Sequence, residues 1–329
     1  TSGTLGGGAV VDNATLKVNR SDTLTLASAI SGSGSLTQSG TGTLVLTGSN
    51  SYGATTISAG TLQVGAGGTT GSLGGGAVVN NATLAFARSD GVNLGNAITG
   101  SGRVMQSGGG TVMLSNAANA YSGGTEVSAG TLLTVLPGAL PGGRSVTVSG
   151  GTLDVNGQAP SVGAVTLASG AIVDGAGGGK LTATGFDLQS GTANAVLDGA
   201  AALTKSTAGA VTLGRDNTYT GATTVSGGTL QVGAGGATGA LGAGAVTVNA
   251  ALVFNRSNTA TVANAISGSG NLTQAGTGTL VLTGTNSYGA TTVSAGTLQV
   301  GNGGSGGTLG AGAVTDSAAL VFNHGDTLT

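Results

Sequence analysis

Apolar and polar side chains alternate in short runs along the whole chain. In Leu16-Lys17-Val18 and Leu62-Gln63-Val64 every second side chain falls on one face, which is the period of a half-buried β-strand. Each run ends at Gly, Asn or Ser, residues that tolerate the backbone dihedrals of turns. No segment between these turns has apolar residues at the three-and-four spacing of a helix. The pattern predicts an all-β chain of short strands.

These strands recur at a fixed distance. Gly3-Thr4-Leu5-Gly6 returns 68 residues later as Gly71-Ser72-Leu73-Gly74, and two further copies begin at Gly239 and Gly307, again 68 apart. The spacings of 20, 8, 18 and 22 residues separate the apolar anchors in two copies, Leu16, Leu36, Leu44, Leu62, Leu84 and Leu252, Leu272, Leu280, Leu298, Leu320. Strands that return about every 20 to 23 residues predict the coils of a parallel β-helix (β-solenoid), in which stacked coils share one core. We expect three coils in each 68-residue unit and about 15 coils in all.

A β-propeller is the main architectural alternative, because its blades are also long repeats. Propeller blades usually carry a periodic aromatic or Trp-Asp signature. This chain has no Trp and only four Tyr and four Phe in 329 residues. The solenoid is therefore the preferred interpretation.

The repeats predict one continuous solenoid with a less regular middle. We expect regular β-helix coils over residues 1–135 and 209–329, and less regular coils over residues 136–208. The loop tyrosines Tyr121 and Tyr219 are 98 residues apart rather than 69, and all three prolines fall between them. Because proline removes a donor from a β-ladder, it belongs at a turn or an edge. A protruding or kinked loop is expected near Leu136–Arg144.

Composition narrows the function classes. Only 6% of the residues are charged, the net charge is −2 and the nine Lys and Arg residues are scattered. Nucleic-acid binding, which needs clustered cations and usually stacking aromatics, is not expected. The chain has no Cys, which excludes disulfides and thiolate metal sites. No apolar run approaches the length of a membrane-spanning helix.

Two linked motifs resemble a known repeat family. Thr41-Gly42-Thr43-Leu44-Val45-Leu46-Thr47-Gly48 is followed by Asn50-Ser51-Tyr52-Gly53-Ala54-Thr55-Thr56 and then Ala59-Gly60-Thr61-Leu62-Gln63-Val64-Gly65. This series is similar to the autotransporter passenger-associated strand repeat of type V secretion adhesins. It returns nearly intact at residues 277–301 and in part at 209–233 and 110–132.

The resemblance implies a right-handed parallel β-helix that is secreted or displayed on the bacterial cell surface. Membrane attachment is then expected only through a C-terminal β-barrel that is not present in these residues. Such passengers mediate surface adhesion, cell–cell aggregation or biofilm fibre formation, or act as stalks. The expected partners are host or bacterial surface glycans, matrix proteins and further copies of the same chain. No enzyme activity and no cofactor are expected.

The tyrosines are the candidate ligand-contacting residues. They recur in the same Asn-x-Tyr context as Tyr52, Tyr121, Tyr219 and Tyr288. One hypothesis is a periodic row of rings that contact sugars or proteins. The other is a structural Tyr folded over the coil beside an Asn turn.

A polysaccharide-active β-helix enzyme, either a lyase or a hydrolase, is the alternative function. Glycoside hydrolysis needs two carboxylates about 5–10 Å apart. Asp154 with Asp174 is the best candidate pair in sequence, followed by Asp187 with Asp198, and Lys180 is the nearby cation. Their contexts are those of polar positions on alternating strands, so no catalytic residue is predicted. His324, the single His, stands where the repeat has Arg256 and is interpreted as a polar turn residue.

Overall fold

A computed structural model describes residue 3 and residues 5–325, which form two compact units. The first unit holds the described residues up to Gly163 together with Gly175–Gly178. The second holds Ala164–Asp174 and the described residues from Gly179 onward. Both consist of strands and turns, as the alternating pattern predicts.

The strands are short, with two to four residues each except for Val146–Asp154 and Ala164–Val173, which have nine and ten. The first unit contains β1 (Val10–Val11), β2 (Thr15–Val18), β3 (Leu24–Leu26), β4 (Ile30–Ser31), β5 (Ser35–Gln38), β6 (Thr43–Leu46), β7 (Thr55–Ile57), β8 (Thr61–Val64), β9 (Val78–Asn80), β10 (Thr83–Phe86), β11 (Gly91–Leu94), β12 (Ile98–Thr99), β13 (Arg103–Gln106), β14 (Thr111–Leu114), β15 (Thr125–Val127), β16 (Thr131–Thr134) and β17 (Val146–Asp154). The second unit contains β18 (Ala164–Val173), β19 (Lys180–Thr182), β20 (Gly185–Leu188), β21 (Gly191–Asn194), β22 (Val196–Asp198), β23 (Leu203–Lys205), β24 (Ala210–Leu213), β25 (Thr223–Val225), β26 (Thr229–Val232), β27 (Val246–Val248), β28 (Ala251–Phe254), β29 (Ala260–Val262), β30 (Ile266–Ser267), β31 (Asn271–Gln274), β32 (Thr279–Leu282), β33 (Thr291–Val293), β34 (Thr297–Val300), β35 (Val314–Asp316) and β36 (Ala319–Phe322).

The named strands pair in parallel with strands about one coil away. In the first unit one face is the series β2–β5–β7–β9–β12, and a second is β3–β6–β8–β10–β13–β15–β17. The third face includes β11–β14–β16–β17, so the long strand β17 takes part in two faces. Each coil of this unit is therefore built around three sheets.

The second unit repeats this construction. Its longest face is β18–β21–β24–β26–β28–β31–β33–β35, and beside it lies β18–β20–β23–β25–β27–β30. The third face contains β19–β22 and β29–β32–β34–β36. The predicted parallel β-solenoid is confirmed, and the described residues make about 16 turns. Its handedness stays a prediction.

Rows of aliphatic side chains fill the interior. Leu44, Leu62 and Leu84 are in register on neighbouring strands and have no exposed surface. Phe86 and Phe254, which stand at the same position of the repeat, are 1% and 2% exposed. Phe322, their counterpart in the next repeat, is 48% exposed because β36 has a described neighbour on one side only.

The repeat and the coil do not coincide, which corrects the expectation of three coils in each 68-residue unit. From Leu16 the ladder runs to Leu36, then Thr55 and, after three coils, Val78. The repeat homologue Leu84 comes six residues later (84 − 78) and lies on the next face. The second unit behaves identically, since Leu252 leads after three coils to Val314 and not to Leu320. Each repeat thus covers three coils plus one face.

The segment around residues 136–144 contains turns, and the protruding or kinked loop expected there stays a prediction. Leu136 is exposed, whereas Ala139 and Leu140 are buried, so part of this loop packs against the coil. The proposed domain boundaries at residues 135 and 208 stay predictions.

Candidate functional site

The four tyrosines of the Asn-x-Tyr motifs are the first candidate site. The four rings are buried, with 1% or less of each residue exposed. Each hydroxyl is hydrogen-bonded to a threonine hydroxyl on the following strand, at 2.7–3.1 Å, in the pairs Tyr52–Thr55, Tyr121–Thr125, Tyr219–Thr223 and Tyr288–Thr291. Burial raises the pKa of all four phenols, so they remain neutral.

This geometry favours the structural interpretation of the tyrosines. The coil above makes room for the ring with a glycine, and a Cβ on Gly74, Gly242 or Gly310 would lie 2.4–2.5 Å from ring atoms of the tyrosine below. The rings are not displayed to solvent in this conformation. Their ligand-contacting role stays a prediction that this geometry does not support.

The asparagine of each Asn-x-Tyr motif connects three consecutive coils. The Asn119 side chain accepts a hydrogen bond from the Ile98 amide at 3.0 Å and donates one to the Ala139 carbonyl at 2.9 Å. Asn50, Asn217 and Asn286 make the same pair of bonds with their own neighbours. The strand ladder is interrupted at these buried turns, so some backbone groups would lack a hydrogen-bond partner there. The Asn side-chain amides supply that partner.

A second interior polar register was not predicted from the sequence. Gln38, Gln106 and Gln274 are buried, and each donates from its amide nitrogen to two glycine carbonyls in the following turn. Lys205 occupies the same register, because Lys205 pairs with Val225 as Gln274 pairs with Val293. The only sequence signal was that Gln ends the strand runs at residues 38, 106 and 274.

Lys205 is a fully buried cation whose ammonium group donates hydrogen bonds to carbonyl and hydroxyl oxygens. Its Nζ donates to the Thr207 carbonyl, to the Thr207 hydroxyl at 3.2 Å and to the Gly227 carbonyl at 3.1 Å. Burial lowers the pKa of Lys205, and the nearby Asp187 partly opposes this shift. The ammonium replaces the amide of the other copies as the donor to the turn.

The carboxylates proposed for the enzyme alternative have structural partners. Asp154 accepts hydrogen bonds from the Asn156 and Gly175 amides at 2.8 and 2.9 Å, within the first unit. Asp174 is 8% exposed and accepts one from the Gly179 amide at 2.7 Å, within the second unit. Both therefore hold turns.

The second pair of carboxylates is equally engaged. Asp187 Oδ2 accepts a hydrogen bond from the side-chain Nε2 of Gln189 at 2.7 Å, and Asp198 Oδ1 lies 3.7 Å from Lys180 Nζ. A hydrogen bond from the Thr218 hydroxyl, assisted by Lys180, holds the pKa of the Asp198 carboxyl below its usual value. The acid of a glycosidase needs the opposite shift.

No metal or membrane site emerges from the described residues. Across residue 3 and residues 5–325, no group of three or more His, Asp or Glu side chains could hold a metal ion. No helix in this part of the chain has the length and apolar character needed to cross a bilayer. A shallow depression of about 250 Å³ in the second unit contains a single carboxylate, Asp187, above the strands β18, β20 and β23.

Glycine-rich corner loops are the most exposed repeated feature. Residues 66–70, 234–238 and 302–306 are each five exposed residues between two buried glycines. In the first two copies, an arginine of the next coil forms hydrogen bonds to the loop. Arg88 donates to the carbonyls of Thr69 and Gly71, and Arg256 donates to those of Ala237 and Gly239. His324 takes this position in the third copy.

Comparison with known proteins agrees with this architecture. The passenger-associated-transport-repeat family model matches four segments, residues 36–64, 106–133, 203–232 and 272–300. Four segments of the chain are thus similar to passenger-associated transport repeats, and the resemblance found in its sequence is confirmed.

The sequence is also similar to the protein named "Adhesin BmaC autotransporter" of Brucella suis biovar 1 (strain 1330). The two are 32% identical in an alignment 164 residues long that covers 42% of this chain. The chain spans only 5% of the length of that relative. No solved structure matches the chain.

Proposed function

We propose that this chain is a segment of a bacterial autotransporter passenger, secreted or displayed at the cell surface, with a structural and adhesive role. The observation that carries the proposal is the coincidence of the four matched repeats with a solenoid whose distinctive polar side chains serve the fold. The tyrosines, asparagines and interior glutamines form hydrogen bonds that stabilise turns, and so does Asp154, a candidate carboxylate of the enzyme alternative.

The outer surface then provides the contacts. It is rich in hydroxyl and backbone groups and poor in charge, since only 6% of the residues are charged. Such a surface suits ligands that are recognised by many weak hydrogen bonds, such as neutral surface glycans or matrix proteins. Repetition of weak contacts along one chain raises the overall avidity.

The first experiment tests adhesion. The purified chain is applied to an array of glycans and matrix proteins, and cells that carry or lack the gene are compared for attachment to the targets found. We expect saturable binding by the chain and reduced attachment of the deletion strain. Equal attachment of both strains together with an empty array contradicts the adhesive role.

The second experiment tests localisation and the enzyme alternative. An antibody against this chain should label intact cells or the culture medium, and labelling only after cell lysis contradicts the proposal. The purified chain should also leave acidic and neutral polysaccharides unchanged. Turnover that disappears in Asp154→Asn or Asp187→Asn would establish an enzyme instead.

A further inference from the structure

One coil of the second unit departs from the regular pattern of its face. The strands β18, β23, β25 and β27 present an alanine and a threonine to solvent on either side of a buried residue, in Ala164-Val165-Thr166, Ala202-Leu203-Thr204, Ala222-Thr223-Thr224 and Ala245-Val246-Thr247. Strand β20, which pairs with β18 and β23, has Gly185-Phe186-Asp187 at the same positions. In this single coil the alanine is thus replaced by the smaller glycine and the threonine by a carboxylate.

Both departures line the depression above β18, β20 and β23. Its volume is about 250 Å³. Gly185 lies in its floor, where a Cβ would have no atom within 4 Å, and this glycine has no positive φ. A larger side chain at residue 185 would therefore fill the depression without backbone strain. Asp187 lies on the polar side, in register with Thr166 and Thr204 of the neighbouring strands.

The polar side of the depression has unused hydrogen-bonding groups. Asp187 Oδ2 accepts from Gln189 Nε2, whereas Asp187 Oδ1 has no hydrogen-bond partner among the described residues. The hydroxyls of Thr166 and Thr204 also lack a partner in this part of the chain. Asp198, on another face, is by contrast bonded to the Thr218 hydroxyl and paired with a lysine. The Asp187 row can therefore bind a ligand without breaking a bond within the fold.

The chemistry of the depression favours a neutral sugar. A pyranose ring has an apolar face of C–H groups, which suits the alanine and glycine floor, and a carboxylate can accept hydrogen bonds from two of its hydroxyls. Asp187 would repel an acidic sugar. A cation would meet the buried ammonium group of Lys205, which interacts electrostatically with Asp187. The volume is below the roughly 300 to 1,000 Å³ of sites for drug-sized ligands, so it suits a single ring.

We propose that this depression, which we name the Asp187 subsite, binds one pyranose ring of a neutral polysaccharide. Asp187 and the two threonines beside it accept and donate hydrogen bonds to the hydroxyls of the ring. Further rings extend over Thr224 and Thr247, which continue the row of Thr204 and whose hydroxyls have no partner in the described part of the chain. Because strands stack at about 4.8 Å, an extended sugar chain meets a hydroxyl at every coil. This inference rests on the proposed adhesive function and assigns its ligand class and its place.

The test is binding of the purified chain to immobilised neutral oligosaccharides of glucan, mannan and galactan, with polygalacturonate and polylysine as charged probes. Asp187→Asn removes the charge, and Gly185→Val fills the depression. Both variants should keep the thermal unfolding midpoint and raise the Kd for the bound neutral oligosaccharide by about tenfold or more. The matched controls, Asp198→Asn and Ala210→Val, change a carboxylate and an exposed small residue on other faces and should keep the wild-type Kd.

Four results overturn the proposal. One is a wild-type chain that binds none of the neutral oligosaccharides. Another is a folded Gly185→Val variant with the wild-type Kd, since a filled depression cannot hold a ring. The third is equal weakening in the controls, and the fourth is binding of polylysine alone that is lost in Asp187→Asn, which would make the depression a cation site. Attachment to matrix proteins that is the same in all variants, without binding of neutral oligosaccharides, leaves the adhesive function standing and removes only the subsite.

Discussion

At the scale of the residue, the repeated polar side chains of this solenoid act on its own backbone. Asn119 and Gln106 both satisfy backbone groups in turns where the ladder is interrupted. Lys205 does the same work with a charged group. A neutral amide and a charged ammonium group can both donate to the turn carbonyls, but only the ammonium group buries a charge. We therefore expect the amide to stabilise the turn more.

Lys205→Gln tests this dependence. The variant restores the residue of the other copies, which donates to two carbonyls without a buried charge. It is expected to raise the free energy of unfolding by about 1 kcal/mol at neutral pH. Lys205→Met should lower it, because the carbonyls of Thr207 and Gly227 lose their donor. Urea unfolding of both variants and the wild type measures the difference.

The pH dependence of this pair follows from the lowered pKa of Lys205. The unfolded chain holds the Lys205 proton more tightly than the native state does, so stability rises with pH as the native ammonium deprotonates. The free energy of unfolding of the wild type should therefore rise relative to that of Lys205→Gln between neutral pH and about pH 10.4, the ordinary pKa of lysine. The tyrosines titrate equally in both proteins and cancel. A pH-independent difference would contradict a desolvated ammonium.

Asp12 offers a second residue-scale prediction. Its Oδ2 is buried without a hydrogen-bond partner, whereas the repeat homologue Asn80 donates from Nδ2 to the Arg103 carbonyl at 2.8 Å. Asp12→Asn should therefore protect the first coil against hydrogen exchange by about 1 kcal/mol. The control Asp316→Asn, at an exposed homologous position, should change protection little. Equal effects would show that burial of Asp12 is not the cause.

At the scale of the element, the turn is the part that each repeat specifies most closely. An Asn that bridges three coils and a Tyr that covers the corner set where one strand ends and the next begins. The strands themselves vary more, because their inward positions hold Leu, Val, Ile, Thr or Phe.

Asn119→Ala removes one of these bridges. It leaves the Ile98 amide and the Ala139 carbonyl without their buried partner, which should cost about 2 to 5 kcal/mol. Asn116→Ala is the matched control, since its two bonds, to Gly95 and Ala118, are exposed. Chemical denaturation should separate the two variants by more than 1 kcal/mol. Similar losses would mean that water replaces the Asn119 side chain.

At the scale of the whole molecule, stability is distributed along stacked coils that contact mainly their neighbours. Leu280→Asp would bury an unpaired charge in the row between Ala260 and Leu298, at a cost of several kcal/mol. Thr261→Asp, on the exposed side of the adjacent strand, should cost little. Hydrogen exchange should show that the lost protection is confined to coils near residue 280. Equal effects of both variants would refute the assignment of inward and outward faces.

Much of this fold was predictable from the sequence because β-structure follows from local patterns. Alternation marks the inward side chains, and turn residues mark the strand ends. The anchors Leu44, Leu62 and Leu84 are one coil apart in sequence and in register in space. The Asn-x-Tyr motif also carried the signal of a structural turn.

Tertiary structure alone decided the relation between repeat and coil. The spacings of 20, 18 and 22 residues are coils, whereas the short step of eight from Leu36 to Leu44 carries the chain to the next face. The sequence contains this step, but only strand pairing shows that Leu36 and Leu44 belong to different sheets. The same holds for the interior glutamines and Lys205, because their burial depends on carbonyl groups that converge only after neighbouring coils stack. Local pattern thus determined the strands, and long-range pairing determined which face each repeat presents.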